Sequence, residues 1–76
     1  MDKIDTAIDL VMRAGFEPAF IQEGQSRVVI CAYPTLASDD VTVFSYMGGD
    51  KLRAVFTSPS QNSAACIAVA DFWASR

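Results

Sequence analysis

Residues 41–57 read VTVFSYMGGDKLRAVFT, and this segment carries the strongest secondary-structure signal of the chain. Two runs rich in β-branched and aromatic residues, 41–47 and 51–57, flank the pair Gly48-Gly49. Such runs are typical of strands, and the glycine pair favours a tight hairpin because glycine tolerates the positive φ angles that the turn requires. The side chains of Leu52, Ala54 and Phe56 are expected on one face of the second strand. The segment therefore predicts two antiparallel strands joined by a short turn.

Two further strands are predicted on the N-terminal side of this hairpin. Residues 27–33 form an apolar run between turn residues, a pattern typical of a strand that is covered on both faces. Residues 16–22 alternate weakly, and Pro18 favours an edge position because proline has no amide hydrogen to donate. The connection 23–26 indicates a turn, and residues 34–40 are expected to form a loop.

A helix is predicted at each end of the chain. Apolar residues recur with helical spacing over 3–14, after Asp2 as N-cap and before Gly15 at the C′ position. The second helix is expected over 59–74, and three residues form its start signal: Ser58 as N-cap, Pro59 at N1 and Gln61 at N3. Residues 1–76 are therefore predicted to be a single α+β domain of order α-β-β-β-β-α, with two helices packed on a four-stranded, largely antiparallel sheet.

The coverage of this sheet leads to the main functional expectation. Four strands span about 19 Å, and two helices of about 10 Å diameter cover one face of that width. The central strands carry large apolar side chains on both faces, and the second helix lacks a clean polar side. A partner or a second copy is therefore expected to bind at the open sheet face or at the second helix. On this interpretation Phe44→Glu or Tyr46→Glu disrupts association and spares the fold. The alternative is one helix on each face, which covers both faces in part.

Aromatic and acidic side chains are the candidate partner-binding residues. Four aromatic residues are candidate anchors: Tyr33, Phe44, Tyr46 and Trp73. Asp2, Asp5 and Asp9 lie along one side of the first helix, where the choice is between helix-start electrostatics and an acidic stripe that meets a basic partner. Asp39 and Asp40 are an adjacent pair in the loop before the third strand, where Asx-turns are the commoner role.

The composition disfavours several classes of function. Nine acidic and six basic residues give a net charge of −3. The basic residues are scattered along the sequence and form no cluster that could bind a nucleic-acid backbone. Neither a signal peptide nor a membrane-length apolar run is visible, so a cytoplasmic protein is expected. Histidine is absent, and Cys31 and Cys66 lie inside apolar runs, where reduced and inert thiols are expected. The sequence predicts no catalytic residues, no metal and no cofactor.

These observations favour a non-enzymatic protein-binding module. We expect a stoichiometric inhibitor or adaptor of a larger protein assembly, for example an anti-defence or anti-CRISPR type inhibitor from a mobile element, and self-association as a homodimer is a related expectation. One alternative is a small-ligand-binding regulatory domain with a pocket lined by Phe16, Phe56 and Trp73. A less favoured alternative is a minimal enzyme that uses Cys31 or the Asp39/Asp40 pair.

Overall fold

The computed structural model describes residues 2–35, 40–59 and 63–76. The described elements are helix α1 (Lys3–Arg13), strands β1 (Phe16–Glu23), β2 (Val28–Pro34), β3 (Asp40–Tyr46) and β4 (Arg53–Pro59), and helix α2 (Ser63–Ala74). The four strands form one antiparallel sheet in the order β1-β2-β3-β4. The predicted α+β class and the order of the elements are confirmed.

The ends of α1 follow the predicted capping pattern. The Asp2 carboxylate accepts a hydrogen bond of 2.8 Å from the backbone N–H of Asp5 and so satisfies one of the free amides of the first turn. Gly15 has a φ of 92°, and its N–H donates to the Met12 carbonyl at 3.1 Å. Local sequence chemistry therefore determines both ends of this helix.

The start of α2 differs from the prediction. Ser58 and Pro59 pair with Val41 and Asp40 as the last residues of β4, and the helix begins at Ser63. Sheet pairing extends β4 through the two residues that resemble a helix start, and proline is tolerated there because β4 is an edge strand. Gln61, the predicted N3 residue, lies outside the described residues.

The two helices lie on opposite faces of the sheet, so the prediction that both cover one face is wrong. Helix α1 packs against β1 and β2, whereas α2 crosses all four strands. Alternation along β2 sends Val28 and Ile30 towards α1 and Val29 and Cys31 towards α2. Because both faces of the central strands are apolar, the chain buries more area with one helix on each side.

A bulge in β4 changes which side chains share a face. Val43 pairs with Phe56 and Phe44 pairs with Ala54, so β4 has an extra residue at Val55. Phe56 consequently packs on the α2 side, while Leu52 packs on the α1 side. The prediction that Leu52, Ala54 and Phe56 share one face is wrong for Phe56.

Phe44 and Tyr46 lie in the core beneath α1. They are 6% and 3% exposed. The Phe44 ring packs edge-to-face on Phe16 with centroids 4.9 Å apart, and the Tyr46 hydroxyl donates to the Gly49 carbonyl at 2.6 Å. The prediction that these two aromatic residues occupy an open face is wrong. A glutamate at either position would bury a carboxylate, so such a substitution does not separate association from folding.

Candidate functional site

The outer side of α2 exposes apolar residues. Ile67 and Phe72 are 42% and 51% exposed. Two alanines, one acidic residue and one serine complete this side, which we call the α2 surface: Ala64, Ile67, Ala68, Asp71, Phe72 and Ser75. A helix at the surface of a globular protein ordinarily presents polar side chains to water. This helix presents a largely apolar side to solvent. Asp71 is the one charge among these six residues, and the Arg76 guanidinium lies over the Phe72 ring, 4.2 Å from its centre.

An apolar cavity of about 290 Å³, which we call the socket, lies beside the N-terminal half of α2. Phe20 and Tyr33 stand at its edge and are 38% and 37% exposed, and Ile67 joins the socket to the α2 surface. The residues that line it are Ala19, Phe20, Cys31, Tyr33, Val41, Cys66 and Ile67. None of them carries a charge at neutral pH. The described residues thus form a concave apolar site that continues into a convex one.

The edge of β1 beside the socket is poorly suited to pairing with another strand. The β1–β2 register shifts between Pro18 and Phe20, which marks a bulge at Ala19. Pro18 offers no N–H, and a bulge interrupts the regular spacing of hydrogen-bonding groups that strand addition needs. Addition of a further strand at this edge is therefore disfavoured.

Both cysteines lie beneath the socket as buried free thiols. The Cys31 thiol donates to the Cys66 carbonyl oxygen at 3.7 Å, and the Cys66 thiol donates to the Val41 carbonyl oxygen at 4.0 Å. Burial, and secondly the neighbouring Cys66, raise the pKa of Cys31 from 9.0 to about 11, and burial also raises the pKa of Cys66. A protonated thiol is a poor nucleophile, so this arrangement fits a packing role for both side chains.

The raised pKa of Cys31 predicts a loss of stability at alkaline pH. The folded state keeps this proton up to about pH 11, whereas the unfolded thiol releases it at about its ordinary value of 9.0. The contribution of the Cys31 proton to the free energy of unfolding is therefore complete below pH 9.0. It falls between pH 9.0 and about 11, by at most about 1.4 kcal/mol per pH unit. Urea unfolding of the wild type and of Cys31→Ala across this range measures it. Equal pH slopes for the two proteins would contradict the assignment.

The other predicted anchors are not brought together. Tyr33 lies at the socket, whereas Trp73 lies near the end of α2, where the Arg27 guanidinium stands 5.4 Å from the centre of its ring. Phe16 packs on the α1 side, and Phe56 and Trp73 belong to the α2 side. The predicted ligand pocket of Phe16, Phe56 and Trp73 is therefore not formed.

The aspartates of α1 lie on the side of the sheet opposite to the α2 surface. Asp2 caps the helix, Asp5 is exposed in the first turn, and Asp9 pairs with Arg13 at 3.0 Å. Helix capping and a local ion pair thus account for two of the three. Asp40 is exposed at the start of β3, and Asp39 lies outside the described residues.

Sequence reasoning missed Phe20, Ile67 and Phe72 as surface residues. Their exposure depends on which side of α2 faces the sheet and on the bulge in β1, neither of which has a local signal. A signal that was present is the absence of polar residues from 64–70, because a helix with no polar side leaves some apolar side chains in water unless it is fully enclosed.

Among the described residues, no group of three or more acidic, cysteine or histidine side chains is arranged to hold a metal ion, and no helix is long and apolar enough to cross a membrane. Comparisons with protein-family models, curated proteins and solved structures give no match to this chain.

Proposed function

We propose that this protein is a non-enzymatic protein-binding module that acts as a stoichiometric inhibitor or adaptor of a larger protein assembly. The observation that carries the proposal is the apolar socket together with the large apolar side chains exposed at its edge and on the α2 surface. Three of these side chains, Phe20, Ile67 and Phe72, are at least 38% exposed although the chain has only 76 residues. Exposed apolar area of this kind is typical of protein interaction sites.

The partner is a protein that inserts an apolar side chain into the socket. A volume of about 290 Å³ lies at the lower limit of small-molecule pockets, which run from about 300 to 1,000 Å³. The lining has no charged group to orient a small molecule, whereas it suits a single aliphatic or aromatic side chain. The exposed rings of Phe20 and Tyr33 at the edge would exclude water from such a contact, as residues around a binding hot spot do.

The charged residues near the socket indicate which residues of the partner would surround the inserted side chain. Asp71 is the one charge of the α2 surface, and Glu17, which pairs with Tyr33 in the sheet, points to the same side and is exposed. A partner with basic residues around an apolar anchor complements both carboxylates. A second copy of this chain is disfavoured because each copy would bring two carboxylates and one guanidinium, that of Arg76, which leaves an excess of negative charge on both sides.

The test compares Ile67→Asp with Met12→Asp. Both change an exposed apolar residue to aspartate, but Met12, 59% exposed, belongs to α1 on the opposite side of the sheet. The wild type is used to capture its partner from source-cell extract, and the partner is then purified and titrated against each protein by calorimetry. We expect one-to-one binding that Ile67→Asp weakens by at least about 30-fold, the equivalent of about 2 kcal/mol at a hot spot, while Met12→Asp binds like the wild type.

Three outcomes would contradict the proposal. Equal weakening by the two variants would show that charge, not this site, controls binding. Unchanged binding by both would place the interface elsewhere. Sedimentation of the wild type as a dimer that Ile67→Asp converts to a monomer would assign the site to self-association. The partner's own activity, measured with and without the module, distinguishes an inhibitor from an adaptor.

A further inference from the structure

A second cavity, of about 490 Å³, lies at the opposite end of α2 from the socket, and we call it the cationic groove. Nine residues line it: Arg27, Ser45, Met47, Gly48, Lys51, Leu52, Arg53, Ala54 and Trp73. Three of the six basic residues of the chain therefore meet in one place, although the protein as a whole carries a net charge of −3. No acidic residue is among those that line the groove.

The sheet and α2 together assemble this group. Arg27 immediately precedes β2, Arg53 begins β4, and Lys51 lies in the turn between β3 and β4. Ser45, the residue between the two arginines across the sheet, pairs with Arg53 and accepts a hydrogen bond of 3.2 Å from the Arg27 guanidinium. Strand register thus brings Arg27 and Arg53 to one end of the sheet, and α2 adds Trp73.

The guanidinium of Arg27 is held in place, but not all of its hydrogen-bond donors have a partner. Its contact with Ser45 and its position over Trp73 orient it, yet its Nε atom is buried and has no hydrogen-bond partner among the described residues. A buried donor without a partner costs about 1–3 kcal/mol. Among the described residues the ion pair joins Arg13 to Asp9 on the other side of the molecule, so none of their carboxylates forms an ion pair with a cation of the groove.

We propose that the cationic groove binds a small organic anion, with a carboxylate or phosphate group next to an apolar body. The anionic oxygens lie against Arg27 and Arg53, whose planar forks match such groups, and Lys51 adds charge at the mouth. Met47, Leu52 and Trp73 provide the apolar wall for the rest of the ligand. The volume falls within the range of small-molecule sites. This function goes beyond protein docking, because it uses a different end of α2.

The test is a titration followed by amide and indole NMR shifts, with phenyl phosphate and benzoate as probes. Benzyl alcohol is the neutral analogue, and inorganic phosphate lacks the apolar body. We expect saturable shifts at Arg27, Ser45 and Trp73 with both aromatic anions, weaker binding of inorganic phosphate, and none of benzyl alcohol. The two aromatic anions together distinguish a carboxylate ligand from a phosphate ligand by their relative affinities.

Variants then separate the groove from general electrostatics. Arg53→Gln is expected to weaken phenyl phosphate at least about 10-fold, as the loss of a charged hydrogen bond predicts. Lys3→Gln makes the same change of charge on α1 and should leave binding unchanged. Arg27→Lys keeps the charge but loses the planar guanidinium fork, so it is expected to weaken binding. It provides the test at this position if Arg27→Met fails to fold.

The following results would overturn the proposal. Equal affinity for benzyl alcohol and phenyl phosphate would show that the groove recognises apolar surface only, and would exclude an anion site. Equal weakening of phenyl phosphate binding by Lys3→Gln and Arg53→Gln would exclude a localised anion site. Absence of saturation at about 10 mM probe would exclude a site of even weak affinity. Tighter binding of single-stranded oligonucleotide than of either probe would assign the cations to nucleic acid. Ile67→Asp is expected to leave every one of these affinities unchanged, so failure here is distinct from failure of the docking site.

Discussion

Phe44→Ala is expected to lower the free energy of unfolding by about 3–5 kcal/mol, the usual cost of removing a buried phenylalanine ring. Phe44 is 6% exposed and packs edge-to-face on Phe16 beneath α1. A chain of 76 residues has about 4–11 kcal/mol of stability in total. The substitution therefore removes a large part of the stability, and the protein is expected to be substantially unfolded at a temperature where the wild type is folded.

Urea unfolding measures this effect, and Phe72→Ala is the matched control. Phe72 is 51% exposed on α2, and its ring contacts only Trp73 and Arg76 among the ring contacts of the described residues, so its truncation should change the free energy of unfolding by no more than about 1 kcal/mol. Phe16→Ala and the double variant with Phe44→Ala complete a cycle, in which we expect a coupling of about 0.5–1.5 kcal/mol from the ring pair. A cost below about 1 kcal/mol for Phe44→Ala would contradict the position of α1 over this ring.

Gly24→Ala is expected to destabilise the protein by about 1–3 kcal/mol, the cost of inserting a methyl group into a packed site. Gly24 lies in the turn between β1 and β2, directly against the C-terminal end of α2. A Cβ atom there would overlap the Ala74 carbonyl oxygen and lie 3.0 Å from the Ala74 carbonyl carbon. Because backbone rather than a flexible side chain is in the way, relief requires movement of the turn or of the helix end.

Thermal unfolding and tryptophan fluorescence test this prediction together. Movement of the helix end would displace Trp73 from Arg27, so a shifted emission maximum should accompany the lower melting temperature. Gln25→Ala changes the next, exposed residue of the same turn and is expected to alter neither quantity. Wild-type stability in Gly24→Ala would show that the turn and α2 are not in contact at this point.

Much of the fold follows from local features of the sequence. Asp2 and Gly15 determine the ends of α1 through a side-chain cap and a positive φ. Gly48 and Gly49 have the expected positive φ, but the connection between β3 and β4 spans residues 47–52 and Ser45 pairs with Arg53, so the predicted two-residue turn and the strand start at residue 51 are wrong. Local chemistry also misleads at Ser58-Pro59, where a helix start signal is incorporated into β4. Sheet pairing takes precedence there because each residue added to the ladder satisfies backbone groups that a helix start leaves free.

The class, the order of the elements and the excess of apolar side chains on both faces of the central strands could all be predicted from the sequence. That the helices take opposite faces, which buries Phe44 and Tyr46 and leaves Ile67 and Phe72 exposed, follows from the packing of the whole sheet. The strand register likewise brings Arg27 and Arg53 together beside Ser45. The physical reason is that capping and hairpin turns act between near neighbours in sequence, whereas the choice of face and the strand register depend on burial summed over the whole sheet.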